Sequence, residues 1–568
     1  MKLKHILATF VLVMVGTVVF SGGSASAASF SVATGNDENT NNSSCALSEA
    51  IENINDGATT NADCSPTGAY GTNDTINLPT GTITLIADLA EIENDITIVG
   101  QGKTTSIVDG NGSHDGFFVL VQTANFTAES FTFQDTDSAA LTACSTNVTI
   151  NQVVVANATN GARIGCGSND NFTNVVTITD SDFGGNINTD NGGFSGLYLL
   201  TRSDDGCTTP DIDINLTRVR ANNNEAEGAA GVVIASDNRC DAPYTETISL
   251  QDVETNSNAS FGHAGLTIAF GEAVGTASVN LNRVTANDNV LDGQLTAIMS
   301  LNASAGITIT NPRSLTATNL TISNNSAIAD AGSTSGTSGI VIFAYGAEPD
   351  QLSLTNSTVT GNSLTGASNL AGALPIAGIF ALGTADLSSF VPATLTNTLA
   401  ANNTIDGSVS TCSDSVDFGG GPVSVPMTSG GGNVIEDNTC AYALDGATDQ
   451  NNVSGLFATL AAPAYNDGFV QTIALLEGSP AVDAGVAVPF SLDAQLLSRS
   501  QGNAVDAGAY ESPFSRASSG GSDGESGGGS TLAESGATVF GIAILSLATL
   551  TGAIGVSRRS AVRFRSHL

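Results

Sequence analysis

The chain has no tryptophan, and lysine occurs only at Lys2, Lys4 and Lys103. Aromatic residues make up 5% of the 568 residues and charged residues 12%. Each shortage excludes something. Sugar platforms use exposed aromatic faces, and 7 tyrosines without a tryptophan supply few. A net charge of -38 with so few lysines repels phosphate backbones, which excludes nucleic acid as a partner. His114 and His263 are the only histidines outside the two terminal segments, and no Cys-x-x-Cys is present, so zinc has no ligand set. A Gly-x-Ser-x-Gly elbow is also missing, which removes the usual setting for a serine nucleophile. The Leu-x-x-Leu-x-Leu and Trp-Asp signatures of two other repeat classes are absent.

Hydrophobic residues still reach 41%, and there are 63 glycines. That composition suits a β-rich, turn-rich chain with small side chains, not a disordered one. Its clearest feature is a recurring strand that ends in an asparagine turn. INLTRVRANNN at 214–224 returns as ISLQDVETNSN at 248–258, VNLNRVTANDN at 279–289, LTATNLTISNN at 315–325, LSLTNSTVTGN at 352–362 and ATLTNTLAANN at 393–403. The asparagine turns are spaced by about 31–40 residues. In several copies a second β-like run follows a glycine, at Gly231, Gly265 and Gly339.

One such unit cannot bury its apolar face, whereas stacked units share a core. Stacking places Ile214, Leu216 and Val219 over Ile248, Leu250 and Val253. It also lines up Asn222, Asn256 and Asn287 at one corner. Asparagine tolerates the left-handed conformation there, and the stacked side chains can form a hydrogen-bonded ladder.

Residues 1–27 read as a secretory signal: Lys2 and Lys4, an apolar core over 6–20, and Ala25-Ser26-Ala27 before the cleavage point. The eight cysteines all follow it and fall in sequence-near pairs, Cys45 with Cys64, Cys144 with Cys166, Cys207 with Cys240 and Cys412 with Cys440. Each disulfide would close a short loop and contribute about 3 kcal/mol. Neighbour pairing is only the simplest connectivity, since eight cysteines allow 105. At 44–56, SCALSEAIENIND carries Ala46, Leu47, Ala50, Ile51 and Ile54 at helical spacing, with Glu49 and Glu52 on other faces. It predicts a short amphipathic helix covering the open first rung of the stack.

This stretch resembles the C-S-L-R-E-A-I module that opens many exported bacterial repeat proteins. DTINLPTGTITL from Asp74, the I-V-G-Q-G turn ending at Gly102 and D-G-N-G ending at Gly112 resemble the module's sequel. Ser48 stands where the family has arginine, and Ala46 where serine or threonine is common. GGNVIEDNTC from Gly431, LLEGSPAVDAG from Leu475 and GNAVDAGAYE from Gly502 resemble the family's closing motifs. The resemblance implies an all-β, right-handed parallel β-helix. The expected organisation is an N-terminal cap and first coils over 28–112, β-helix repeats over 113–440 and a closing region over 441–513.

A Gly/Ser-rich linker over 514–531 then leads to residues 532–568. These carry Leu532-Ala533-Glu534-Ser535-Gly536, an apolar run over 537–556 long enough for a transmembrane helix, and Arg558, Arg559, Arg563 and Arg565. The order resembles a sortase signal of the L-A-x-T-G type, with Ser535 in place of threonine. The alternative is a permanent membrane anchor. Either way the expected location is extracellular, at the cell wall or membrane.

For chemistry, Asn188-Thr189-Asp190, Asp204-Asp205 and Gly262-His263 follow the motif order of polygalacturonase-like hydrolases, and paired carboxylates could serve as acid and base. The family's closing Arg-x-Lys is missing, because no lysine follows Lys103. Asp190, Asp204, Asp205 and His263 are therefore read as turn and loop residues. No cofactor is expected. A structural cation such as calcium is compatible with the acidity, although the acids are not spaced as in an EF-hand. Arg218, Arg220 and Arg283 sit at comparable corners, paired with acids or solvated, and Phe131, Phe133 and Phe270 suit core positions. The expected function is a monomeric, non-catalytic adhesin or display scaffold for an extracellular glycan or protein, its binding residues sought among outward positions such as Thr217, Arg218 and Arg220. A carbohydrate hydrolase or lyase and a passive envelope or coat component are the alternatives.

Overall fold

The computed structural model describes residues 27–516, except 72, 120–124, 166–173, 191, 204–210, 239–244, 271–275, 294–303, 330–335, 345–350, 368–374, 384–392, 413–414, 418–421, 425–426, 442 and 500. The signal segment, nearly all of the linker, the sorting-like motif and the apolar run lie outside the described residues, as do Asp204, Asp205, Cys166, Cys207 and Cys240. Residues 517–568 form a separate unit. Among the described residues no helix is long and apolar enough to cross a membrane.

The protein is mostly β, built on three long sheets of 23, 9 and 8 strands in which successive coils of the chain pair in parallel. This is compatible with a β-helix or solenoid. In the first sheet Ile214 pairs with Val176 of the preceding coil and Ile248 of the next. The column continues through Val279, Leu315, Leu352, Ala393 and Met427, all buried. Leu216 and Val219 pair with Leu250 and Val253 as expected from the repeat. Phe131, Phe133 and Phe270 are core residues.

Asparagine does hold the corner, but with a division of labour that the repeat alone does not reveal. Each turn uses three successive residues. Asn222, Asn256 and Asn287 stack: the Asn256 N–H donates to Asn222 Oδ1 at 2.7 Å and the Asn287 N–H to Asn256 Oδ1 at 2.9 Å. The left-handed residue is the next one, Asn223, Ser257 or Asp288, with φ of 60°, 58° and 57°. The third residue builds the main ladder, which runs Asn186, Asn224, Asn258, Asn289, Asn325, Asn362, Asn403. In each step a backbone N–H donates to the next coil's Oδ1. From Asn258 onward the side-chain amide donates to the same atom, at 2.9–3.1 Å. The amide also donates to a carbonyl of the preceding coil, as Asn289 does to Thr255 at 2.7 Å. All seven are buried, so their polar groups must be satisfied within the stack.

The glycine before each second-sheet strand has a steric cause. A Cβ on Gly231 would lie 2.1 Å from the Gly265 carbonyl oxygen, and one on Gly265 2.1 Å from that of Gly306. The coils approach too closely there for any side chain.

At the N-terminal end, strands Ser29–Ser31 and Gly35–Asp37 pair with the coil that follows. The helix spans Leu47–Asp56, with Leu47, Ala50, Ile51 and Ile54 in the main core. Glu49 is also fully buried, contrary to the expected outer face. It folds back to accept the Ala46 N–H at 3.0 Å, while Asp37 accepts the Ser48 N–H at 3.1 Å, the role that the alanine N-cap has no side chain to fill. Cys45–Cys64 and Cys412–Cys440 are disulfides. Cys144 is disulfide-bonded to a partner outside the described residues. The third sheet ends in an antiparallel hairpin, Thr404–Ile405 against Ser408–Val409, which interrupts parallel propagation.

Replacing Asn289 by alanine removes the acceptor of the Asn258 donors and the donor to Thr255. The expected loss is about 2–4 kcal/mol in chemical denaturation. Asn280→Ala, on the exposed face, should stay within about 0.5 kcal/mol. Equal effects would show that the ladder is not a special source of stability.

Candidate functional surface

The closing region does more than follow the last coil. It begins with a small core in which Leu456, Leu475, Ala481, Val482 and Ala507 pack on Leu399, Ala401 and Val434. From there it runs back along one corner of the stack. Val486 exchanges hydrogen bonds with the Asn397 side chain, Ala509 N–H donates to Thr358 Oγ1 and Arg499 donates to Asn319 Oδ1 at 2.7 Å. Tyr465 and Gln471 reach Glu254 at 2.9 and 3.0 Å. At the usual spacing of parallel strands this covers about 30 Å of the stack.

The corner beneath is a second column of left-handed residues, Asp180, Arg218, Asp252, Arg283, Asn319, Asn356 and Asn397, with φ between 50° and 58°. Its charges alternate. Arg218 clamps Asp180 with two bonds of 2.6 and 2.7 Å, which holds that carboxyl below its ordinary value. Arg283 clamps Asp252 at 2.5 and 2.9 Å, both buried. Arg220, two residues beyond the column, bonds buried Glu254 at 2.7 Å, stacks 4.2 Å from the Phe469 ring centre and donates to the Phe469 carbonyl. Arg218 and Arg220 are thus each held in an ion pair, with the Arg218 side chain still 42% exposed. Of the three outward residues expected to carry specificity, Thr217 remains on the open face.

That face is the outer side of the first sheet. One outward position runs Ser29, Thr75, Thr97, Thr127, Thr149, Thr177, Asn215, Ser249, Asn280, Thr316, Ser353, Thr394, Thr428 in unbroken register. None of these residues is buried and none is charged. At strand spacing they form a hydroxyl and amide array about 55 Å long.

The residues considered for hydrolysis are placed differently. Asp190 is exposed in a turn, its N–H donating to Asn188 Oδ1 at 2.7 Å. His263 lies two coils further on, since Asn188 is in register with Ala226 and Ala226 with Ser260. Its ring is buried, Nδ1 meets Thr267 Oγ1 at 2.9 Å, and burial pushes its pKa down to about 4, so it is neutral at pH 7. Asp204 and Asp205 lie outside the described residues. Among the described residues no group of three or more His, Cys, Asp or Glu could hold a metal ion.

Two buried acids escaped the repeat-based reading. Glu246 occupies an inward position in register with Ile212 and Ala277, where apolar side chains are the rule. Ser236 Oγ donates to it at 2.8 Å and Thr201 Oγ1 at 3.4 Å, while burial raises its pKa to about 7. Glu511 lies buried 3.7 Å from Arg499, and burial likewise lifts it to about 7. The alternation of the strand marks position 246 as inward, but nothing local marks Glu511. Comparison with protein-family models, characterised proteins and solved structures finds no match to the chain.

Arg220→Ala leaves Glu254 buried without its cation, with an expected cost of about 1–3 kcal/mol, discounted because Arg220 is partly exposed. Limited proteolysis should then cut first within 460–475. Unchanged resistance there would show that Arg220 does not hold the segment.

Glu246 keeps its proton in the folded chain at pH values where the unfolded chain, with an ordinary value of 4.5, has released it. Stability is therefore full below the unfolded value and falls as pH rises towards 7, by about 3 kcal/mol. Glu511 acts in the same direction. Glu246→Gln should flatten, without abolishing, the decline in melting temperature between pH 5 and pH 8; an unaltered slope would locate the effect elsewhere.

Proposed function

We propose that the chain is a right-handed parallel β-helix, exported and held at the cell surface, that acts as a non-catalytic scaffold displaying its open hydroxyl and amide face to an extracellular glycan or protein. The observation that carries this reading is the uncharged outward column from Ser29 to Thr428. A rigid face of repeated hydroxyls and amides offers many weak, equivalent hydrogen bonds, a format suited to repetitive ligands. Parallel strand–crossover–strand connections are right-handed in nearly all cases, which supports the handedness. The helix Leu47–Asp56, with its apolar side in the core, acts as the cover of the first coils. Disulfides fit an oxidising compartment. The terminal segments supply export and anchoring: residues 1–27 as a cleaved signal, 532–568 as a sorting signal or membrane anchor.

Binding of the purified protein to an array of glycans and surface proteins tests the display role. Thr149→Lys combined with Asn280→Lys, four coils apart in the same column, places two cations on the face without setting them side by side, and the expected result is at least about tenfold weaker binding at an unchanged melting temperature. Binding that survives both lysines moves the site off this face. A wild-type protein that retains nothing favours the passive coat. Fractionation of cells tests the anchor: release by peptidoglycan digestion alone means sorting, release by detergent alone means a membrane span, and recovery in the medium without either treatment defeats the anchor.

A further inference from the structure

Exposed large apolar side chains are concentrated in the closing region. Of the 15 large apolar side chains exposed among the described residues, 7 lie between Phe457 and Leu497. Four of them, Phe490, Leu492, Leu496 and Leu497, fall in one loop and are 37, 42, 54 and 42% exposed. The only charged side chain within residues 486–498 is Asp493, and it is buried. In a chain of net charge -38, this is an apolar loop with no exposed charge.

The loop is also held in place. Leu492 and Ser498 bridge antiparallel. Asp493 Oδ1 accepts the N–H groups of Gln495 and Leu497, both at 2.8 Å, and its Oδ2 accepts the Glu511 N–H at 2.9 Å. Asp493 N–H donates to the Leu497 carbonyl at 2.9 Å. Leu496 sits at φ 66°, a conformation that a branched side chain rarely adopts and that the surrounding bonds must enforce. A rigid turn that projects leucines outward at a conformational cost is poorly explained as a neutral connection.

We propose that residues 486–498 form a lipid-facing foot, seated in the headgroup region of the bilayer that anchors the protein. The inference rests on the reading of residues 537–556 as a membrane span. The N–H of Arg516, the last described residue, donates to Asp483, three residues before Val486, so the tether leaves the folded unit beside the foot. Twenty residues of the Gly/Ser-rich sequence over 517–536 correspond to a reach of about 25 Å. It therefore keeps the foot within reach of the lipid. The acidic remainder of the protein is repelled by anionic headgroups, which leaves an uncharged apolar loop as the part able to approach. Four aliphatic and aromatic side chains on a fixed turn match the shallow insertion of interfacial anchors. The foot would orient the stack relative to the membrane and leave the threonine-rich face open.

The test uses the full chain reconstituted into phosphatidylcholine vesicles. An environment-sensitive dye is placed at Leu496→Cys, at Leu497→Cys, and at Thr149→Cys on the open face. Nitroxide-bearing lipid should quench emission about two-fold at 496 and 497 and leave 149 unaffected, as expected for a site in the headgroup layer. If 496 and 497 are as unquenched as 149 while the protein floats with the vesicles, the foot is wrong and the span stands. If the protein does not float with the vesicles, the span fails and the foot with it. Shielding at 496 that grows with protein concentration without lipid quenching assigns the loop to a contact between copies of the chain and overturns the proposal.

Discussion

Everything in this fold depends on keeping one register from coil to coil while the coils differ in length. Backbone pairing alone does this along the strands. At the corners the ladder of carbonyls and amides is interrupted, and the buried groups left there need partners. The asparagine ladder from Asn186 to Asn403 supplies them: its side chains accept from one coil and donate to another at the point where strand pairing stops. Asparagine suits the position because one side chain carries both an acceptor and two donors. The coil from Asn258 to Asn289 and the longer one from Asn362 to Asn403 can then differ in length without moving the register.

The other two punctuation points follow from the same spacing. Glycine appears where one coil's backbone nearly touches the next, at Gly231, Gly265 and Gly306. Left-handed residues appear where the first sheet bends, at Arg218, Asp252 and Arg283. These residues are not glycines, so the bend carries a conformational cost. Arg218 and Arg283 offset it by bidentate bonds to the acid one coil earlier. Further along the same column the charges give way to Asn319, Asn356 and Asn397, where the closing region covers the corner and bonds directly to Asn319 and Asn397. A buried neutral amide can pair with a backbone without the desolvation cost of an ion.

Much of this was legible in the sequence, and the boundary of legibility has a physical reason. The stacking of Ile214 on Ile248 and the pairings Cys45–Cys64 and Cys412–Cys440 follow from patterns repeated or adjacent along the chain. The helix Leu47–Asp56 follows from its apolar spacing. The left-handed residue was displaced by one, at Asn223 rather than Asn222, because both are asparagines and only geometry separates their roles. Glu49 and Glu246 break the rule that acids face water, and each does so for hydrogen bonds that no periodicity encodes. The contact between Arg220 and Phe469 joins residues 249 apart in sequence. No local pattern marks such a pair, so the course of the closing region along the stack was not readable in advance.

The neutrality of the open face is itself a consequence of the register. Like charges at one strand position would stand about 4.8 Å apart along the whole stack, each pair costing about 1 kcal/mol even in water and more beside a protein wall. A parallel stack therefore admits charge on such a column only in alternation, which is what Asp180, Arg218, Asp252 and Arg283 do. The outward column from Ser29 to Thr428 takes the other solution and carries none. Strand acids such as Glu129 and Asp213 stand beside this column and not on it, leaving a narrow uncharged strip bordered by negative charge. Such a strip presents one hydroxyl or amide per coil between acidic borders. The constraint that keeps the coils aligned thus also selects the chemistry that the face can present.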